Sequence, residues 1–294
     1  MEQTKMRLGK GLNSHQIKLI AVIAMTIDHL GAYGFEIPIF DIYNAQLRLI
    51  GRIAMPLFLF VLTESVRHTG SRPRFLWRLY LAAVSCGLFT AVTNFLFGDT
   101  VGMFLQSNIF FTYFYVALYI SLIEEIIAGS REKDSRRILI GIGGIAATAI
   151  PHILLVLLDW VNIMDWGATL AQAWLFSDLV QSFLASPIHV EYTFLYVILG
   201  ILMYFAGSKY RKAAVLVAFG VGSYLVSKLP AVRASLYYFV VGYPEYYMVL
   251  AAPVMLLYNG EKGRGSKYFF YAYYPLHRYA ISVAVYFYQL FCGV

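Results

Sequence analysis

The sequence predicts an all-α polytopic membrane protein: a single transmembrane helical bundle of nine or ten spans, with the N-terminus in the cytoplasm. Three observations lead there. Apolar residues fill 60% of the 294 positions and charged residues only 13%, a balance that leaves no room for a separate soluble domain. Long, nearly uncharged runs recur from Ile17 to the C-terminus, each within reach of a hydrocarbon core of about 30 Å. Finally, 18 of the 23 basic residues fall in every second gap between those runs, which marks one side as cytoplasmic. Residues 1–294 therefore read as one integral-membrane domain.

The first run, Ile17–Phe35, follows Lys5, Arg7, Lys10 and Lys18 much as a signal peptide would. It has no small-residue cleavage site and holds Asp28 and His29, so it reads as the first span. The following spans are Ala45–Val66, Phe75–Phe97, Ser107–Ala128, Ile138–Leu158, His189–Ala206, Ala213–Leu229, Leu236–Tyr258 and Tyr268–Phe291. Leu170–Ser186 is apolar but interrupted by Gln172, Asp178 and Gln181. Were it to cross, every later basic gap would flip outward, so it is expected to dip in or lie along the surface. The basic gaps are then the N-terminus, Arg67–Arg78, Arg131–Arg137, Lys209–Lys212 and Lys262–Lys267, all cytoplasmic, and the C-terminus lies outside. The net charge of +7 sits in these short loops. Topology and anionic lipid account for it without nucleic acid.

An ionisable residue within a span costs roughly 2.5–3.5 kcal/mol on insertion scales, which makes each one a candidate for function. Asp28 and His29 lie about seven residues before the first span leaves the membrane, and Arg52 about seven after the second re-enters, so all three sit about 10 Å deep. Arg48 stands one turn above Arg52 on the same face. His277 and Arg278 follow the inner boundary at Lys267 by about ten residues, or about 15 Å, and reach that layer from the opposite side. Pro275 can kink the last span there. Glu64, Glu191 and Glu245 are expected to face the same cavity, and Tyr271, Tyr273 and Tyr274 to line it. Neutral imidazole is a general base near neutral pH. Adjacent helical residues point about 100° apart, so Asp28 is expected to pair with Arg52 or His277 rather than with His29. A plain ion-pair lock is the competing explanation for any one of these groups.

Other polar features are plainer. Cys86 and Cys292 lie in apolar surroundings and read as buried free thiols; no metal-ligand spacing and no nucleotide loop occurs. His152 beside Pro151 reads as a packed side chain, His15 and His68 as solvated, and Glu124 and Glu125 as reaching toward the loop. Gly141, Gly143 and Gly144 suit close helix packing. The basic gaps offer Arg72, Arg74, Arg78, Lys209, Arg211, Lys212, Lys262, Arg264 and Lys267 to a phosphate, with Arg78 the best single anion partner at the inner mouth.

Several blocks resemble the TraX family of membrane proteins, whose namesake acetylates the N-terminal residue of F-type pilin. They are Ile17-Lys18-Leu19-Ile20-Ala21, Ile27-Asp28-His29-Leu30-Gly31, Leu47-Arg48-Leu49-Ile50-Gly51-Arg52-Ile53-Ala54-Met55-Pro56, Arg67-His68-Thr69, Arg78-Leu79 and Asn108-Ile109-Phe110-Phe111-Thr112. Toward the C-terminus, Leu257-Tyr258-Asn259-Gly260-Glu261-Lys262-Gly263 and Phe269-Phe270-Tyr271-Ala272-Tyr273-Tyr274-Pro275-Leu276-His277 continue the resemblance. The middle, from about Arg131 to Ala234, matches poorly, and Glu191-Tyr192-Thr193 stands where an Asp-Tyr-Gly element is expected. The family is similar in turn to a wider group of membrane acyltransferases that includes heparan-α-glucosaminide N-acetyltransferase.

The resemblance implies transfer of an acetyl group from cytoplasmic acetyl-coenzyme A, without metal, to an amine or hydroxyl of a peptide, pilin-like or glycan acceptor. The setting would be the bacterial cytoplasmic membrane. On that basis His29 or His277 takes the acceptor's proton, and Arg52 or Arg48 stabilises the oxyanion or holds an acidic acceptor. Asp28 supports them, and Arg74, Arg78, Lys262, Arg264 and Tyr274 hold the coenzyme. Two alternatives remain: a proton-coupled small-molecule transporter that uses Asp28, Glu191 and Glu245 as a relay, and an assembly factor without chemistry.

Overall fold

The computed structural model describes residues 11–34, 36–101, 108–160, 170–188, 190–229, 245–265 and 267–292. Lys5, Arg7, Lys10, His189, Arg233 and the first part of the expected span Leu236–Tyr258 lie outside these. Among the described residues the regular structure is helical, apart from one isolated bridge between Leu12 and Tyr258. The chain divides into two compact units, Met1–Val61 with Phe205–Tyr268, and Leu62–Tyr204 with Phe269–Val294.

In the first unit, α1 (Ser14–Tyr33) starts at a capping box. The Asn13 side chain accepts from the Gln16 N–H at 3.0 Å, and the Gln16 side chain accepts from the Asn13 N–H at 3.0 Å. The loop after residue 256 closes on the same end, where the Ser14 and His15 N–H groups donate to the Glu261 and Lys262 carbonyls at 2.8 and 3.2 Å. The donors that a helix start leaves unpaired are thereby satisfied. A short α2 (Pro38–Ile42) leads into α3 (Asn44–Gly51), which packs along α1. The expected span Ala45–Val66 is two helices, α3 and α4 (Ala54–Arg67), because the Arg52 and Ile53 N–H groups bond three residues back to Leu49 and Ile50 and tighten the turn.

Later in this unit, α11 (Lys209–Ser227) packs against a 3₁₀ helix (Glu245–Ala251) and α12 (Ala252–Leu256). Pro253 opens α12, where its missing N–H costs nothing. Lys212, expected in a basic loop, is instead fully buried, its ammonium 5.2 Å from the Phe60 ring centre.

In the second unit, α5 (Arg72–Val101) packs against α6 (Ile109–Glu132) and α9 (Leu170–Phe183). The α6 helix starts at Asn108, whose side chain accepts from the Phe110 N–H, and ends at Lys133 in the left-handed conformation. The expected span Ile138–Leu158 is divided into α7 (Ser135–Ala147) and α8 (Ile150–Trp160). Pro151 has no N–H to donate to Ala147, so the helix breaks at Thr148 and Ala149. The α10 helix (Thr193–Ala206) begins later than expected, after an irregular turn, and α13 (Lys267–Cys292) enters this unit from Phe269 onward. Glu124 and Glu125, expected to reach toward the loop, pair with arginines of the basic gaps: Glu124 with Arg72 at 2.9 Å and Glu125 with Arg137 at 2.8 Å.

Among the described residues four helical stretches are long and apolar enough to cross a membrane: Asn44–Arg67, Arg72–Leu96, Ile109–Glu132 and Ser135–Leu157. α1 and α13, at 20 and 26 residues, have the length, but Lys18, Asp28, Arg278 and several tyrosines lower their hydropathy. Only 6% of the apolar window in Ser135–Leu157 is buried by protein, so α7 and α8 turn Leu139, Ile140, Ile142 and Leu157 outward. A hydrocarbon surround suits such a face and water does not.

Candidate functional site

Among the described residues, each unit holds a cluster of buried charged side chains. In the first, Asp28 on α1 faces Arg48 and Arg52 at the end of α3. Arg48 Nη1 donates to Asp28 Oδ2 at 2.6 Å and Arg52 Nη2 to Asp28 Oδ1 at 2.7 Å. Arg52 also donates through Nη1 to Glu245 Oε1 at 2.5 Å and through Nε to the Arg48 carbonyl at 3.1 Å. The tightened turn at Arg52 releases that carbonyl from its backbone partner, and the guanidinium satisfies it.

Gly51 makes the approach possible. A Cβ there would lie 2.1 Å from the Asp28 Cβ, so no other residue lets α3 come close enough for both guanidiniums to reach one carboxylate. Two cations and two anions leave the cluster neutral, which is what buried charge requires. Both Asp28 oxygens are held by arginine, so Asp28 does not orient His29, whose buried ring instead leans on Tyr33 at 5.2 Å.

In the second unit, Tyr274, His277 and Arg278 lie along α13, all buried. Arg278 Nη1 donates to the Tyr274 hydroxyl at 3.0 Å, and that hydroxyl donates to Glu191 Oε2. Thr112 Oγ1 donates to the Glu191 carbonyl at 2.8 Å. Glu191 is presented by a turn in which Tyr192 and Thr193 take φ of 64° and 66°. Left-handed backbone is costly for a β-branched threonine and free for glycine, the residue that the Asp-Tyr-Gly pattern has there. Cys86 on α5 lies within electrostatic reach of both Arg278 and Glu191.

His277 Nδ1 sits 2.7 Å from the Tyr273 carbonyl, and the ring stacks on Tyr273 with centres 4.9 Å apart. A carbonyl only accepts, so Nδ1 carries the hydrogen and the neutral ring keeps its lone pair on Nε2.

The remaining expected residues fall as follows. Arg74 and Arg78 are exposed near the start of α5, with Arg78 5.8 Å from the Phe75 ring centre. Lys262 and Arg264 are exposed in the loop after α12. Glu64 stands beside His68, 3.7 Å away, and His152 Nδ1 meets Ser186 Oγ at 3.3 Å. Cys292, expected to be buried, is exposed. Two features escaped sequence reasoning. The first is the bond from Arg52 to Glu245, 193 positions apart. The second is the meeting of Arg67, Arg72, Glu124 and Tyr204: the sequence offers Arg72 to a phosphate but carries no sign of these contacts. Among the described residues no group of three His, Cys, Asp or Glu side chains is placed to hold a metal ion.

No curated protein and no solved structure matches the chain. The model of one family, described as TraX protein, matches residues 13–150, just under half of the chain, from the α1 cap to the start of α8. That stretch contains Asp28, His29, Arg48, Gly51 and Arg52, and the match supports the TraX family as the one this chain resembles.

Proposed function

We propose that the protein is a multi-pass acyltransferase of the bacterial cytoplasmic membrane, moving an acetyl group from cytoplasmic acetyl-coenzyme A to an amine or hydroxyl of a peptide or glycan acceptor. The observation that carries this reading is His277, buried within α13 with its tautomer set by the Tyr273 carbonyl, beside the Arg278–Tyr274–Glu191 chain. An imidazole held with Nδ1 protonated presents Nε2 as a general base.

The acceptor's nitrogen or oxygen attacks the thioester carbonyl, and Nε2 takes its proton. The carbon–sulfur bond then breaks, and coenzyme A leaves as the thiol with the proton returned by the imidazolium. Tyr274, its ring centre 6.1 Å from that of His277, and Arg278 bring hydroxyl and guanidinium donors to the same stretch of helix, where an oxyanion needs them. A pantetheine arm of roughly 20 Å carries the thioester to membrane depth, while Arg74 and Arg78 of the same unit offer partners to the coenzyme's phosphates. In the other cluster Arg52 is bound to two carboxylates and serves as a lock. Arg48, whose side chain is 15% exposed against 4% for Arg52, is the member suited to an acidic acceptor. His29 is the alternative base.

A proton relay suits the first cluster poorly, because Asp28 and Glu245 are each bound to a guanidinium at 2.5–2.7 Å. Membranes incubated with labelled acetyl-coenzyme A test the reading. His277→Gln is expected to lower transfer by about 10²–10⁴-fold while the protein still folds. Full transfer in both His277→Gln and His29→Gln, or none by the parent protein, would overturn it.

A further inference from the structure

A third polar group, separate from both clusters, lies where three helices of the second unit end. Arg67 is the last residue of α4, Arg72 the first of α5, and Tyr204 stands two residues before the end of α10. Arg67 Nη2 donates to the Tyr204 carbonyl at 2.6 Å, and Arg72 Nη2 donates to its hydroxyl at 2.9 Å. Both guanidinium carbons lie near the same ring, 5.0 and 5.6 Å from its centre. One carboxylate serves the pair: Glu124, which Arg72 Nη2 meets at 2.9 Å and which also accepts from the Tyr204 hydroxyl. Among the described residues Arg67 forms no ion pair, and Arg72 Nη1, shielded from solvent, has no hydrogen-bond partner.

Two cations held on one aromatic ring with one anion between them leave an unbalanced positive charge. A buried guanidinium N–H without an acceptor is costly, and a phosphate oxygen is the acceptor a guanidinium fork fits best. Glu124 is half-exposed, and exposed ion pairs are weak, so an incoming anion can compete with it. Reaching Nη1 takes a side-chain rearrangement, and the exposed Arg67 arm over the same ring is the one placed to make it.

We propose that Arg67 and Arg72, mounted on Tyr204, form a binding site for a phosphate-bearing anion, either an anionic lipid headgroup or a soluble diphosphate. The site does not depend on the acyl-transfer reading.

The test is thermal unfolding of the full-length protein in neutral detergent. The probes are sodium pyrophosphate and, separately, phosphatidylglycerol, with sodium sulfate and phosphatidylcholine as controls. Stabilisation by pyrophosphate alone identifies a soluble diphosphate as the ligand; stabilisation by phosphatidylglycerol alone identifies a lipid headgroup. In either case Arg67→Gln is expected to weaken the apparent affinity about tenfold, as loss of one charge-assisted contact implies. Glu124→Gln, which removes the competing carboxylate, is expected to tighten it. Arg72→Gln is the harsher variant, since Arg72 also braces Glu124 and Tyr204, so the two milder ones carry the test. No stabilisation by either probe, or unchanged affinity in Arg67→Gln and Glu124→Gln, would overturn the site.

Discussion

Gly51 shows how one residue commits a cluster. Its missing side chain is the space in which Asp28 sits, so Gly51→Ala forces α3 away from α1 and stretches both arginine bonds at once. The expected loss is about 3 kcal/mol or more, since the variant combines a clash in a packed region with broken buried ion pairs, read as a lowered unfolding temperature in detergent. Arg52→Met strands Glu245 and half of Asp28, and costs about 3–5 kcal/mol for the same reason. Adding Glu245→Gln to Arg52→Met should recover part of that loss. An unchanged double variant would mean that the pair contributes no coupling. The sequence places Arg48 and Arg52 on one face, puts Asp28 at a matching depth and turns Glu245 toward the same cavity, but it does not pair Glu245 with Arg52, because depth does not say which way a helix is turned about its axis.

At the scale of elements, the turn before α10 and the contact of α9 with α5 each trade backbone comfort for position. Thr193 at φ of 66° aims Glu191 at Tyr274. Thr193→Gly should relieve the strain, raising stability by about 1 kcal/mol. If the strain serves only to present Glu191, transfer activity should be kept. α9 lies so close to α5 that a Cβ on Gly87 would meet the Ser182 Cα at 2.9 Å. Close by, Asn94 Nδ2 donates to Asp178 Oδ2 at 3.2 Å.

Burial holds the Asp178 carboxyl above its ordinary range, against the opposing pull of that bond. A carboxyl raised on folding binds more protons in the folded state. Its contribution to stability is therefore complete at pH values below the unfolded pKa and is lost as pH climbs through the folded one. Asp178→Asn keeps an acceptor for Asn94 and should flatten this dependence, which unfolding temperatures measured across the acid range will show. The breaks at Arg52 and Thr148 divide what hydropathy draws as continuous spans, and before Pro253 a 3₁₀ helix gives way to an α-helix. Proline at 56, 151 and 253 is visible in the sequence, and Pro56, with no N–H to donate to the Arg52 carbonyl, marks the tightened turn there as Pro151 marks the break at Thr148.

Over the whole molecule, the alternation of basic gaps carries the expectation of an odd number of crossings, which would put the last helix's end outside. Cys292 is exposed and Cys86 buried, so a membrane-impermeant maleimide applied to intact cells should label Cys292 and spare Cys86. Labelling of Cys292 only after the membrane is opened would contradict nine crossings. The composition and the spacing of charge determine by themselves that this chain is helical, membrane-embedded and provided with costly polar groups in its first two runs and its last, because hydrocarbon admits few other solutions. They act along one axis, fixing where each residue lies across the membrane.

The tertiary structure alone decided which groups touch. Asp28 went to two arginines rather than to a histidine, Glu191 to Tyr274, 83 positions away, and Glu124 to Arg72 and Tyr204 together. Those choices depend on how each helix is rotated and how closely its neighbours approach, and both are set by side-chain volume at a few contact points such as Gly51 and Gly87.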